Sequence, residues 1–301
     1  MKLRAAKRTV LNPVRASAAI QQWYQSQLLR LVDAMHASVM YWVKAAYRGA
    51  YPQHVGDSVV LLNVMGQSFA YSVTHNMAMD LSPAKKLDAA MAKHSKQWIK
   101  AFDQARKTIA KAFAQKTMKH GDLAFRQALK DAGFSIEFQF TRSMRDAMNL
   151  GIMENITLIK SIPEQYLHEV RALVARSAAH GRSLKDLTDQ IEERYGVARS
   201  RAALIARDQN NKLTSLFHKT RQKELGITTA YWSHTAASKQ PRQEHEDWDA
   251  SGEPYNIDEG KYSEDEQEQQ WPGTAINCGC TSRSIVPGYD DDDSGEDEEE
   301  L

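Results

Sequence analysis

The sequence predicts a mainly α-helical protein with a small α+β lobe near its C-terminal end: long N-terminal helices, then a helical bundle, then a short irregular lobe that contains β structure. Three observations lead there. From Ser17 to Leu225 apolar residues recur at steps of three and four, the spacing that lines one face of a helix. Glycine and proline punctuate those stretches where helices start and stop. Beyond Gly226 the pattern changes to short β-like runs, turn residues and acids. At 301 residues, 42% hydrophobic and 26% charged, the chain suffices for one large domain or two modest ones.

The first helix is read from Ser17, with Ile20, Tyr24, Leu28, Leu31, Met35, Val39 and Trp42 on one face. Ser82 and Pro83 start another: a serine cap, then proline where no amide donor is needed. Leu87, Met91, Trp98, Phe102, Ile109 and Phe113 continue it, and Gly121 is expected to end it. These aromatic stripes read as core, or as a seam for a partner helix, rather than as a cofactor box. Phe134, Ile136, Phe138 and Phe140 alternate, as in a short strand or a buried loop with a helix following. Thr141 to Ser161 is helical, and Pro163 is expected to open a further helix that reaches about His180 and stops at Gly181. Ser183 caps the next, with Leu184, Leu187 and Ile191 inward and Asp186 favourable in its first turn, and Gly196 is expected to break it. A long helix follows from about Arg199 to Leu225 and ends at Gly226. Thr228 to His234 is β-like, Trp271-Pro272-Gly273 and Asn277-Cys278-Gly279-Cys280 form tight irregular structure, and Thr281 to Val286 is a last strand.

No apolar run reaches the roughly 18 residues that span a bilayer. The basic stretch Met1 to Val10 lacks the apolar segment of a secretory signal, so folding is expected in a cytosol, with no membrane partner. The net charge of +1 hides a separation: Asp290 to Leu301 carries −9 and Gln243 to Glu268 carries −10, which leaves +20 on the rest of the chain. A basic body of that kind meets nucleic acid weakly and without sequence preference, meets an acidic protein surface, or is simply a solvated helical surface.

The two cysteines, Cys278 and Cys280, stand one residue apart, where a bridge would be strained. Together with His245 they make three soft ligands of the type zinc accepts in a tetrahedron. His234, Asp247, Asp249 or a water would supply the fourth. The other reading has the thiols packed as small hydrophobes and His245 hydrogen-bonded to its loop. Arg242, one helical turn before His245, would bind an acidic partner, a phosphate, or the carboxylates of Glu244 to Asp249. Arg207, Asp208, Gln209 and Asn210 form a polar patch on the long helix, expected to hydrogen-bond the loops of the irregular lobe or to line a cleft. That lobe is poor in apolar residues, so it is expected to need a tether such as a metal. No nucleophile triad and no glycine-rich phosphate loop is present, so no catalytic residue is assigned.

The order of these pieces resembles a family. Asn155-x-x-Leu158-Ile159-Lys160-Ser161-Ile162-Pro163 is followed by Gly181-x-Ser183-x-x-x-Leu187, then Arg201-Ala202 and Ile205-Ala206-Arg207-Asp208-Gln209. Leu225-Gly226-Ile227 leads to Trp232, then Arg242-x-x-His245, Gly252, Pro272-Gly273 and Asn277-Cys278-x-Cys280. Ordered in this way, they resemble the head-morphogenesis module of Mu F-like phage minor capsid proteins. Two departures stand out. Ser238 and Gln240 occupy places where the family often has an acid and an extra arginine, and Gln209 stands where it commonly has glutamate. Three regions are expected: a helical N-terminal region, residues 1–154, read from its periodicity; the Mu F-like module of the resemblance, 155–288; and an acidic tail, 289–301, disordered because it cannot bury apolar surface. The resemblance implies a low-copy structural protein, not an enzyme, assembled in the host cytoplasm and retained inside the head of the virion. There it would work with the portal, scaffold and major capsid proteins close to the DNA. Trp232, Arg242 and Asn277 join Arg207, Asp208 and Gln209 as its polar partner-binding or structural site. The competing function is a metal-assisted hydrolase or nuclease-like enzyme centred on His245, Cys278 and Cys280.

Overall fold

The computed structural model describes residues 9–47, 58–64, 67–73, 83–180, 184–235 and 241–286. Along the chain lie β1 (Thr9–Val10), α1 (Ala18–Tyr47), β2 (Ser58–Val64), β3 (Gln67–Val73), α2 (Pro83–Asp131), α3 (Arg142–His180) and α4 (Leu184–Glu224). There follow β4 (Thr229–Ser233), α5 (Gln243–Ala250), β5 (Pro254–Asn256), β6 (Lys261–Ser263), β7 (Glu268–Gln270) and β8 (Thr281–Val286). The protein is mainly α-helical with a small α+β lobe. Ser82, Gly181, Ser183 and the acidic tail lie outside the described residues. No helix among the described residues is long and apolar enough to cross a membrane.

Two compact units interleave along the sequence. The helical unit comprises Ser17–Thr117 and Met148–Asn210; the lobe unit comprises Met1–Ala16, Met118–Ala147 and Asn211–Leu301. The anticipated boundary between 154 and 155 falls inside α3, which is continuous there.

The helical unit is built on the apolar stripes. Tyr24, Leu28, Leu31, Met35 and Val39 of α1 are buried, as are Met91, Trp98, Phe102, Ile109 and Phe113 of α2. Tyr24 stacks on Phe113 with ring centroids 4.1 Å apart. Each such side chain contributes about 1.5–3 kcal/mol on burial. The unit also holds the antiparallel pair β2–β3, in register from Ser58↔Val73 to Val64↔Gln67, which the helical reading passed over.

The lobe unit contains a four-stranded antiparallel sheet in the order β1-β8-β4-β5 and a separate β6–β7 hairpin. Ala230 pairs with Ser284 and Trp232 with Ser282, so the two longest strands form the middle. Leu11, Val14, Phe125, Leu129, Ile227, Trp232, Tyr255 and Ile257 form its core. Far from being short of apolar residues, the lobe draws them from the chain start and from the end of α2.

Three helix boundaries differ from expectation. Gly121 lies within α2, Pro163 within α3 and Gly196 within α4. Flanking apolar faces carry each helix across its weak residue, because packing outweighs a local cost of about 1 kcal/mol for glycine and about 3 for proline. The actual stop of α2 is Gly133, at φ 90°. There Phe134 N donates to Leu129 O and Gly133 N to Lys130 O, a Schellman ending. Gly226 ends α4 in the same way, with Ile227 N donating to Gln222 O and Gly226 N to Lys223 O. The alternating Phe134 to Phe140 segment is irregular and joins no sheet. Phe134, Ile136 and Phe138 pack against the core, and Phe140 is exposed. Alternation alone does not make a strand, because a ladder also needs a neighbouring strand.

Candidate metal centre

The candidate centre is assembled from three pieces of the lobe unit. Strand β4 alternates, burying Ala230 and Trp232. The short helix α5 starts after Arg242, whose backbone is extended, and carries acids in its first turn, where the helix dipole favours them. Its buried residue is His245. The loop before β8 turns at Asn277, whose φ of 60° is a conformation asparagine tolerates. It then directs Cys278 and Cys280, with only Gly279 between them, to the same interior side.

Both sulfurs meet one nitrogen. Nδ1 of His245 lies 3.5 Å from Cys278 Sγ and 3.6 Å from Cys280 Sγ. All three residues are buried and both thiols are free. The ring of His245 packs against two indoles that also touch each other: its centroid is 4.9 Å from that of Trp232 and 5.1 Å from that of Trp248, which are 4.6 Å apart. Its Nε2 is buried and has no hydrogen-bond partner among the described residues. The thiols influence each other strongly. The Cys280 thiol beside it pulls Cys278 well below the usual thiol range, against burial and with help from His245. The same neighbour, together with burial, pushes Cys280 up.

Polar contacts fasten the surroundings. Arg242 donates to Glu266 Oε1 at 2.9 and 3.1 Å and to the Ile276 carbonyl at 3.1 Å. Its carboxylate partner is thus Glu266, and not the anticipated run from Glu244 to Asp249. Glu244 instead accepts from the Ser263 hydroxyl at 2.5 Å and from the amides of Glu264 and Asp265. Burial acts to raise the Glu244 carboxyl, but these donors outweigh it and hold the group below its usual range. Asp247 and Asp249, two proposed fourth ligands, are exposed and outside the His-Cys-Cys cluster.

The lobe loops are held by the last part of α4. Asn211 donates to the Cys278 carbonyl at 2.9 Å and Ser215 to the Pro272 carbonyl at 2.5 Å. Lys219 lies 3.6 Å from the centre of the Trp271 ring. Burial and then the charge of Lys223 lower the Lys219 amine to about 8. Gln222 donates to Ser284 at 2.8 Å and Ser282 at 3.0 Å. These four residues recur at steps of four, four and three, which is one helical face. The helix can approach because position 273 is glycine: a Cβ there would lie 3.2 Å from the Cys280 carbonyl oxygen and 3.4 Å from Ser215.

Gln209 has a different role, inside the helical unit. It accepts from Asn155 Nδ2 at 2.9 Å and donates to Glu154 at 2.8 Å, while Tyr24 donates to Asn155 Oδ1 at 2.8 Å. Asn210 donates to the Ser17 carbonyl, Arg207 is exposed and Asp208 half-buried. Burial, then the charge of Glu154, raises the Tyr24 hydroxyl far above its usual range. The amide at 209 both accepts from Asn155 and donates to Glu154, which an ionised carboxylate cannot do. Gln209→Glu is therefore expected to destabilise the helical unit by about 2–4 kcal/mol at neutral pH, since it sets a buried carboxylate against the exposed carboxylate of Glu154 and removes the donor between them. Urea denaturation followed by circular dichroism measures this, and a cost under about 0.5 kcal/mol would contradict it.

Residues 168–283 match the family model described as phage Mu protein F like protein. An uncharacterized protein of Haemophilus influenzae is 25% identical over 294 residues, which cover 95% of this chain and 58% of that relative. No solved structure matches. The chain thus spans little more than half the length of that relative, and the stretch that matches the Mu F-like family model, residues 168–283, carries His245, Cys278 and Cys280.

Proposed function

We propose that the protein is a minor head protein acting in phage head morphogenesis, present in few copies inside the head near the portal. The observation that carries this reading is the Mu F-like match over 168–283, which includes α4, β4, β5 and the first half of β8. Its partners on this reading are the portal and the capsid or scaffold proteins. The role is structural: the polar side chains of α4 and α5 that face the lobe are engaged in fastening its loops. Deleting the gene should sharply reduce the yield of infectious heads, and the protein should copurify with portal or shell. A normal yield of infectious particles from the deletion would overturn the proposal.

The same reading includes contact with DNA. Lys93, Lys96, Lys100, Lys107 and Lys111 are exposed on α2. Their steps of three, four, seven and four gather them on one side of the helix, over a rise of about 27 Å. Such a stripe can follow a phosphate backbone without reading bases. Replacing Lys96, Lys100 and Lys107 together with glutamate is expected to weaken binding to duplex DNA at least about tenfold and to lower the salt slope by about three. Fluorescence anisotropy across a salt series checks this, and unchanged affinity and slope would remove DNA contact from the proposal.

A further inference from the structure

We propose that the lobe binds one structural zinc ion through Nδ1 of His245, the sulfurs of Cys278 and Cys280, and a ring nitrogen of His234. Two edges of the site already have tetrahedral dimensions. Tetrahedral zinc, with Zn–S about 2.3 Å and Zn–N about 2.0–2.1 Å, sets sulfur and nitrogen about 3.5 Å apart. The two S···N distances here are 3.5 and 3.6 Å. Both sulfurs therefore already stand where a shared tetrahedral ion requires them relative to one imidazole nitrogen, and that nitrogen is the one turned towards them.

The fourth ligand follows by chemistry and place. His234 comes directly after β4 and is half-buried. It lines the same small cavity as His245, Cys278 and Cys280. It lies outside the tight cluster, so it reaches the ion by rotation of its side chain. No carboxylate lines this cavity among the described residues, and the neighbouring segment 236–240, Ala-Ala-Ser-Lys-Gln, contains no ligand-type side chain. Two histidine nitrogens and two sulfurs form a soft set that suits zinc and not calcium or magnesium, which take oxygen. Two thiolates balance the charge of a divalent ion, so the buried site is neutral when loaded. The Arg242 guanidinium beside it is already paired with Glu266.

The site is structural rather than catalytic because all four positions are filled by protein and no carboxylate stands in the cavity to act as a base. The ion ties the end of β4, the first turn of α5 and the loop that enters β8. These three pieces otherwise meet through the Trp232–His245–Trp248 contacts and the clasp from α4. Binding energy at a site that exists only in the folded lobe adds to the stability of the lobe.

The test uses the full-length chain purified without chelator. Elemental analysis should find about one zinc per chain, and cobalt(II) should exchange in with the visible absorption of a tetrahedral site and a sulfur charge-transfer band. Cys280→Ser should abolish the charge-balanced site and release the metal. That variant could also unfold the lobe, so His234→Ala gives the second reading: it keeps three ligands, retains circular dichroism and shifts the cobalt bands. Its zinc affinity should fall by more than the roughly 10–100-fold that even an outer partner of a metal ligand is worth. Absence of zinc together with absence of a cobalt spectrum overturns the site. An unchanged cobalt spectrum in His234→Ala overturns the assignment of the fourth ligand.

Discussion

Trp232→Ala is expected to destabilise the lobe unit by about 3–5 kcal/mol, because it empties a fully enclosed aromatic volume. Trp232 is 1% exposed and packs against His245, Trp248 and Tyr255, with centroids 4.9, 4.6 and 6.0 Å away. It sits in the strand that pairs with both β5 and β8, so its loss reaches both sides of the sheet. Denaturant melts of the full-length variant measure the loss through the remaining tryptophans. Trp232→Phe keeps most of the volume and should lose clearly less. A cost below about 1 kcal/mol for the alanine variant would mean that the pocket collapses freely, contrary to its sheet-braced walls.

Arg221→Met is expected to have an effect of similar size, about 3–5 kcal/mol, through charge rather than volume. Arg221 is 2% exposed on α4 and donates to both oxygens of Asp122 at 2.8 Å, to Glu224 at 2.6 Å and to the Gln139 carbonyl at 2.8 Å. Its guanidinium also covers the Phe138 ring at 4.6 Å. Removing it leaves the carboxylates of Asp122 and Glu224 without their shared cation and frees the irregular segment that leads to α3. Adding Asp122→Asn and Glu224→Gln to the methionine variant should recover much of the loss, since a neutral cluster no longer carries unpaired charge. Equal stability of the single and triple variants would show that packing, not charge, is what Arg221 supplies.

The helices were legible because Tyr24, Leu28, Leu31 and Met35, or Phe102, Ile109 and Phe113, keep their spacing over many turns. Boundaries were less so. Gly121, Gly196 and Pro163 look like stops to any local reading, and only the surrounding packing carries the helices through them. The glycine that does end α2, Gly133, is recognised by its positive φ and by the backbone bonds around it, neither of which composition reveals. For the site, the cluster His245, Cys278 and Cys280 was legible because soft ligands are scarce in this chain. Its polar support was not. Asn211, Ser215, Lys219 and Gln222 have a one-face spacing that could have been noticed, but a polar stripe on a long helix ordinarily marks solvent. The pairing of Arg242 with Glu266 depends on a fold-back across 24 residues, which residue types alone do not specify. The lobe also looked starved of apolar residues because those that complete its core, Leu11, Val14, Phe125 and Leu129, lie far before it along the chain, ahead of α3 and α4.

The central claim, a structural part of the phage head, is tested most directly by quantifying the protein in purified particles. Heads made by cells carrying the gene should be separated from lysate on a density gradient and analysed by quantitative mass spectrometry against the portal subunit. The account predicts that the protein is found in the heads, protected from added protease until they are opened, in an amount comparable to or below that of the portal subunit and far below the major shell protein. Particles that lack it, with the protein recovered wholly in the soluble lysate, would contradict the account.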